Sequence, residues 1–317
     1  MSTPRAIAVD WSGAVRGSRR KIWLAEITAG AVVRLEDGRD RAQLEAHLLD
    51  AAMRGPNVII GLDFAFSMPA WFMREHSFAS AHDLWAYLAS DRDEAWLRAC
   101  EPPFWGRPGK QRPPADPARP PARRCEAATG AKSVFQAGGA GAVGTGSLRG
   151  MPMLHRLHAA GMHIWPYDDP GYPLVIEIYP RLLTGPVRKS SPQARARYID
   201  TWLAQPHGVT PTQNARAEQP TPPIPTQHAK RGEQPPSAVP PLPTRANVTV
   251  SPAQLDHARN SEDAFDALFS AIAMWRHIDN LRDLPKIEDP LTRLEGTIWQ
   301  PPPSTSDLEC KPLSADR

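Results

Sequence analysis

Three apolar runs in this chain each deliver a carboxylate. Ala6-Ile7-Ala8-Val9 ends at Asp10, Val58-Ile59-Ile60-Gly61-Leu62 ends at Asp63, and Glu177 lies inside Leu174–Tyr179. An isolated ionised carboxylate in apolar surroundings is costly, so each needs a partner, hydrogen bonds or a cation, and a shared cation would serve all three. Near the C-terminus SEDAFDALFSAIAMW adds Asp263 and Asp266, three residues apart and so on one helical face. Small neighbours (Ala264, Ala267, Ser270, Ala271) would let that helix lie close to a sheet. Oxygen-only donors converging in this way suit hard cations such as Mg²⁺ or Mn²⁺. Two such ions about 3.5–4 Å apart form the clamp used in phosphodiester hydrolysis. Each acid alone also has a plainer use. Asp10 and Asp63 can cap turns, Glu177 can face solvent on an edge strand, and Asp263 suits the dipole at a helix start.

The elements that must position these acids alternate between strand and helix. Residues 6–9, the alternating stretch Lys21–Ile27 and the run Ala31–Leu35 predict a three-strand meander. Leu44, Leu48, Leu49 and Met53 recur at helical spacing over residues 39–54, and Gly55-Pro56 stops that helix. Val58–Leu62 reads as a strand buried on both faces. Further helices are expected over residues 82–100, after the glycine-rich GAGAVGTGSLRG, from Ser191-Pro192 to about Ala204, and from Ser251 to about Leu281 with a break near Asn260-Ser261. His163–Tyr167 and Pro173–Tyr179 supply two more strands, and Pro166 confines the first to an edge or a strand end.

The 36 prolines among 317 residues, about twice ordinary usage, are concentrated. Eight fall in residues 102–121 and eleven in residues 206–247. Such density excludes helix and predicts extended or unpacked chain. One domain, residues 1–300, is therefore expected, interrupted by an arm at 102–133 and an insertion at 206–247 and followed by a proline-rich tail at 301–317. The arm holds seven basic residues against two acidic ones, a net of +5 that exceeds the +3 of the whole chain. With Phe104 and Trp105 beside them, Arg107, Lys110, Arg112, Arg123, Arg124 and Lys132 are candidate phosphate contacts. A solvated basic linker is the plainer alternative. Three scattered cysteines make neither a metal motif nor a disulfide framework, and no stretch has the length or character of a membrane span or a signal peptide. A cytoplasmic protein without membrane attachment is the expectation.

Six segments resemble a family of predicted nucleases in the ribonuclease H-like superfamily. They are AVDWSG (8–13), GLDFAFSMP (61–69), VGTGSLRGMPML (143–154), EIYPRLLTG (177–185), SEDAFDALFSAIAM (261–274) and LEGTIWQP (294–301). The last helix is also similar to that of Holliday-junction resolvases. The resemblance implies an α/β fold with a ribonuclease H-like mixed sheet, a three-strand meander followed by helix-linked strands, and helices on both faces. It implies a metal-dependent nuclease holding two Mg²⁺ or Mn²⁺ ions on Asp10, Asp63, Asp263 and Asp266, with Glu177 a fifth catalytic acid. Nucleic acid, DNA or RNA, would be the partner.

Three other readings compete. Asp10-Trp11-Ser12-Gly13 loosely resembles the phosphate-binding hairpin of actin-like phosphotransferases, but no second adenosine-binding half follows. Gly139–Gly144 satisfies G-x-G-x-x-G, although the strand that should precede it is short and mixed. The glycine run reads better as backbone amides at a helix start, suited to a phosphate. A non-catalytic nucleic-acid-binding module on the same fold is the third. His155 and His158 read as packing residues.

Overall fold

The computed structural model describes residues 3–139, 141–205 and 248–302, so the insertion at 206–247 and most of the tail at 301–317 lie outside the described residues. A mixed six-stranded sheet in an α/β arrangement organises the chain. Its strands are β1 (Arg5–Asp10), β2 (Trp23–Thr28), β3 (Ala31–Glu36), β4 (Val58–Leu62), β5 (His163–Trp165) and β6 (Leu174–Glu177), in the order β3-β2-β1-β4-β6-β5. The first three form the antiparallel meander, whereas β4 runs parallel to β1 and β6, and β5 runs parallel to β6. Pro166 follows the last residue of β5, which occupies the sheet edge.

Helices cover both faces, and the period-2 alternation of strand side chains decides which core each strand residue enters. Ile7, Val9, Ile60 and Leu62 face one core. It is shared with α2 (Arg41–Arg54), α3 (Ala70–Glu75), α4 (Ala81–Tyr87), α5 (Asp93–Ala99) and α7 (Gly144–Ala159). Ala6, Ala8, Ala25, Ile59 and Ile176 face the other core, built with α9 (Pro192–Ala204), α10 (Pro252–Asn260), α11 (Glu262–Arg276) and α12 (Ile278–Arg282). Short helices α1 (Ser18–Lys21), α6 (Arg124–Thr129), α8 (Pro180–Thr184) and α13 (Pro290–Glu295) complete the described elements.

The alanines matter on the second face. Helix α11 crosses β1 and β2, and Ala264, Ala267 and Ala271 of the helix join Ala6, Ala8 and Ala25 of the sheet in one buried cluster. Gly61 completes this small-on-small contact, because a Cβ there would stand 2.6 Å from Met274 Sδ and 2.9 Å from Ile178 Cγ2. On the helix's flank Phe265 and Phe269 are fully buried against Tyr198 and Trp202. Burial of each such ring stabilises the fold by about 1.5–3 kcal/mol.

Several expectations need correction. The helix expected over residues 82–100 is two helices, α4 and α5, joined by a wide turn in which Asp91 adopts a left-handed φ of 62°. The strand read over Lys21–Ile27 begins two residues later, at Trp23. Lys21 belongs to α1, and β2 is buried on both faces because each face of the sheet carries a packed core, Leu24 entering one and Trp23, Ala25 and Ile27 the other.

The arm at 102–133 is not unpacked chain either. Phe104 is buried 5.3 Å from Phe135 and 5.9 Å from Phe72. Trp105 exchanges backbone hydrogen bonds with Phe135 and Ala137. Residues 124–129 form α6. Aromatic burial at its ends holds a segment that its proline content alone would leave extended. No described helix is long and apolar enough to cross a membrane.

Candidate metal and phosphate site

The same alternation that sorts the core places the acids. In β1, Ala6 and Ala8 face α11, so Asp10 two residues on faces it too. In β4, Gly61 faces α11, and Asp63 follows just past the strand end. The Asp63 amide donates to the Val9 carbonyl (3.2 Å), so the two aspartates stand side by side at the C-terminal ends of adjacent parallel strands. Helix α11 begins with its N-cap Ser261, whose side chain accepts from the Ala264 amide (3.1 Å), and this sets Asp263 in the first turn and Asp266 one turn deeper. The four acids are thus brought together from three elements.

Their electrostatics are those of a site short of positive charge. Burial, and then repulsion from Asp266, pushes Asp63 up to about 7. Burial, followed by the charges of Asp266, Asp63 and Asp263, raises Asp10 well above the carboxylate range. Burial also raises Asp263, with Glu262 adding to it. Asp266 is pushed up to about 6 by burial, against the opposing charge and hydrogen bond of Lys189.

That lysine was not legible in the sequence as a site residue. Its Nζ lies 2.5 Å from Asp266 Oδ2. Buried Arg195 donates to the Lys189 carbonyl and also to the Arg259 carbonyl at the end of α10 (2.9 and 3.1 Å), which fixes the loop that presents the lysine. The only hint was position, since Lys189 is one of three basic residues between Glu177 and Pro192. Asp266 Oδ1 and Ser270 Oγ, one turn on, are buried with no hydrogen-bond partner.

Glu177 lies on the other face of the sheet from this set, although its charge helps to raise Asp63. In β6 it alternates with Ile176, sharing its face with Val175, which belongs to the opposite core. There its two oxygens accept from Arg123 (2.5 and 2.9 Å), and one also accepts from the Phe66 amide (2.9 Å). Arg123 is 1% exposed and is held in addition by Glu126 at 2.8 Å. Glu177 is thus not an exposed edge residue, and although both side chains reach the lining of the cleft beside the acids, each is engaged by the other, so that the charge of Arg123 is taken up by Glu177 and Glu126. Together they clamp the loop after β4 that begins with Asp63. The same loop is tied down by the Ser147 hydroxyl, which accepts from Ala65 (3.0 Å), and by the Glu295 carboxylate, which accepts from Ala70 (2.7 Å).

A cleft of about 870 Å³ opens beside the acids, with Asp63 and Asp263 in its lining. Across it lie Gly139, Gly141, Ala142 and Val143 and, at the start of α7, Thr145 and Gly146. Gly13, just past β1, touches this start so closely that a Cβ would come 2.5 Å from the Gly146 amide nitrogen. The Trp11 indole N–H donates to the Gly146 carbonyl at 2.8 Å. Basic groups in the lining are Lys21, Lys132, Arg149, which pairs with Glu94, and Arg123, which pairs with Glu177 and Glu126.

Of the arm's candidate phosphate contacts, Lys132 and the paired Arg123 line this cleft. Lys110 pairs instead with Glu101 (2.7 Å), Arg124 with Asp289 (2.5 Å), and Arg112 lies 5.2 Å from the Trp105 ring centre. Arg107 has a buried Nε without a partner. None of these four lines the cleft.

Among the described residues, one trio of histidine, cysteine or acidic side chains has donor atoms all within 4.8 Å of one another. It is His82, His158 and Asp168, remote from the four aspartates. The carboxylates are thus electrostatically coupled but spread more widely than the shell of a single ion. Compared with known proteins, the chain matches no family model, no curated protein and no solved structure.

Proposed function

We propose that this chain is a divalent-metal-dependent nuclease, hydrolysing phosphodiester bonds in nucleic acid, on a ribonuclease H-like fold. The observation that carries the reading is the pairing of Asp10 and Asp63 at the ends of adjacent parallel strands, facing a helix that bears Asp263 and Asp266. The strand order β3-β2-β1-β4, with an antiparallel meander feeding a parallel β4, supports the finer fold reading.

The donors fit Mg²⁺ or Mn²⁺. They are oxygens only, they repel one another in the metal-free chain, and one oxygen of Asp266 is buried without a partner. Asp10, Asp63, Asp263 and Asp266 would hold the ions. When bound, a pair of ions supplies an activated water and stabilises the leaving oxygen. The chain's own residues do the rest. Lys21 and Lys132 give the cleft positive charge for a phosphate backbone, whereas Arg149 in its wall is held by both oxygens of Glu94. The glycines at the start of α7 let a backbone approach closely. Glu177 and Arg123 keep the Asp63 loop in place.

The test is cleavage of labelled DNA, RNA, hybrid and branched substrates by the purified chain with Mg²⁺ or Mn²⁺. At least one should be cut, and Asp10→Asn should slow cutting by on the order of 100-fold or more. Equal rates for Asp10→Asn and the parent would remove the site assignment. The Lys189–Asp266 ion pair, which already places a cation on one acid, favours a second reading, a non-catalytic nucleic-acid-binding module. Salt-sensitive binding with no cleavage under either metal would select it.

A further inference from the structure

We infer that His82, His158 and Asp168 form a second metal site, selective for a borderline transition ion of the Zn²⁺ class and separate from the aspartate cluster. The three residues come from different elements on the opposite face of the sheet from α11. His82 lies in the first turn of α4, His158 near the end of α7, and Asp168 just beyond β5. His82 Nε2 stands 3.0 Å from Asp168 Oδ1, and His158 Nδ1 stands 3.1 Å from Asp168 Oδ2. All three donor atoms fall within 4.8 Å of one another.

Donors bonded at 2.0–2.1 Å to a tetrahedral ion lie about 3.3–3.4 Å apart. The two histidine–carboxylate separations, each to its own oxygen of Asp168, are a few tenths of an ångström shorter, and the two imidazole donors lie within 4.8 Å, so side-chain rotations that bring one Asp168 oxygen between the rings would admit the ion. Two imidazoles and a carboxylate are the mixed set that suits Zn²⁺, Co²⁺ or Ni²⁺ and discriminates against Mg²⁺, which prefers oxygen throughout.

The supports are as specific as the donors. Asp168 Oδ2 accepts from the Ile164 amide at 2.7 Å, which orients the carboxylate towards the two rings. The His82 ring rests edge-on against buried Trp85, with ring centres 4.8 Å apart, and the two histidine rings lie 4.3 Å apart. His158 is 43% and His82 30% exposed, whereas Asp168 is 14% exposed. An ion can therefore enter from solvent and keep an open coordination position. It would tie α4 and α7 to the link between β5 and β6. A plain hydrogen-bonded trio, with Asp168 bridging two imidazoles, is the competing account.

Titration of the chelator-stripped full chain with Zn²⁺ by calorimetry, and with Co²⁺ by visible absorption, tests the inference independently of any nuclease activity. With millimolar Mg²⁺ present to occupy the aspartate cluster, one tight equivalent of Zn²⁺ should bind, and Co²⁺ should develop the absorption bands of a tetrahedral complex. His158→Gln, a substitution at a half-exposed position, should weaken binding by on the order of 100-fold. Asp10→Asn combined with Asp266→Asn should leave it unchanged. Absence of stoichiometric binding to the folded parent would overturn the site. So would a His82→Gln/His158→Gln double variant that binds Zn²⁺ as tightly as the parent.

Discussion

The Lys189 ammonium lies 2.5 Å from an Asp266 oxygen and adds its charge to Asp10 and Asp63, so one lysine neutralises part of a cluster of four acids. Removing it leaves the carboxylates facing one another without that relief. Lys189→Met is expected to lower stability near pH 8 by about 1–3 kcal/mol, less than a fully buried broken pair because the acids can take up protons. It should also enlarge the rise in melting temperature produced by millimolar Mg²⁺. Thermal melts of parent and variant with and without Mg²⁺ measure both. Identical Mg²⁺ shifts would mean that the lysine and the ions do not share these carboxylates.

The acids also set a pH dependence. Asp63 titrates at about 7 in the folded chain against its ordinary 3.8, so the folded state binds this proton more tightly than the unfolded state. Its contribution to stability is complete below about 3.8 and is lost as pH rises through 7, and Asp266 acts in the same direction through about 6. The metal-free parent is therefore expected to lose more stability between about pH 5 and pH 8 than Asp63→Asn does. The difference should be on the order of 2–4 kcal/mol in urea unfolding. Divalent ions, which bind the deprotonated acids, should stabilise the parent more at pH 8 than at pH 5.5.

Arg123 and Glu177 form a buried pair with two hydrogen bonds between them, and Glu126 completes the set. Breaking such a pair from one side leaves an uncompensated charge in the interior. Arg123→Met should cost about 3–5 kcal/mol. Glu177→Gln, which keeps an oxygen for the Phe66 amide, should cost less. The double variant should cost clearly less than the sum, a coupling that a surface phosphate contact would not show. Denaturant midpoints of the four proteins close the cycle.

These pairings explain what was legible and what was not. Asp10 and Asp63 announced themselves because each ends an apolar run, and Asp263 and Asp266 because a three-residue spacing is a helical one. The face on which Glu177 lies follows from the same period of two, but only once β6 is known to sit inside the sheet between β4 and β5. Arg123 misled because its neighbours in sequence are prolines and arginines, whereas two of its three partners, Glu177 and the Glu295 carbonyl, are 54 and 172 residues away. Lys189 and the His82–His158–Asp168 trio depend likewise on long-range packing. Composition shows charge; it does not show which charges meet.

Within the proposed nuclease, position on the cleft separates basic residues that are otherwise alike in sequence. Lys132 lines the cleft beside the acids, whereas Arg124 is engaged with Asp289 and Thr292 away from it. Lys132→Ala should weaken binding of a single-stranded oligonucleotide several-fold at low salt and reduce the dependence of affinity on salt by about one ion. Arg124→Ala should leave both within error. Fluorescence anisotropy over a salt series measures them, and equal losses in the two variants would restore the whole arm as the binding surface.

Gly61 tests the approach of α11 to the sheet on which the acid cluster depends. A methyl group there would overlap Met274 Sδ at 2.6 Å and Ile178 Cγ2 at 2.9 Å, both side-chain atoms that can yield only by shifting within a filled core. Gly61→Ala is expected to cost about 1–3 kcal/mol through overpacking. Because Asp63 lies two residues further along and α11 carries its partners, the displaced helix should also weaken stabilisation by Mg²⁺. Combining Gly61→Ala with Met274→Ala should restore part of both losses, giving a pair that costs less than the two changes added. Urea unfolding with and without Mg²⁺ provides the measurement. A Gly61→Ala protein as stable and as Mg²⁺-responsive as the parent would show that the sheet and α11 have room to spare.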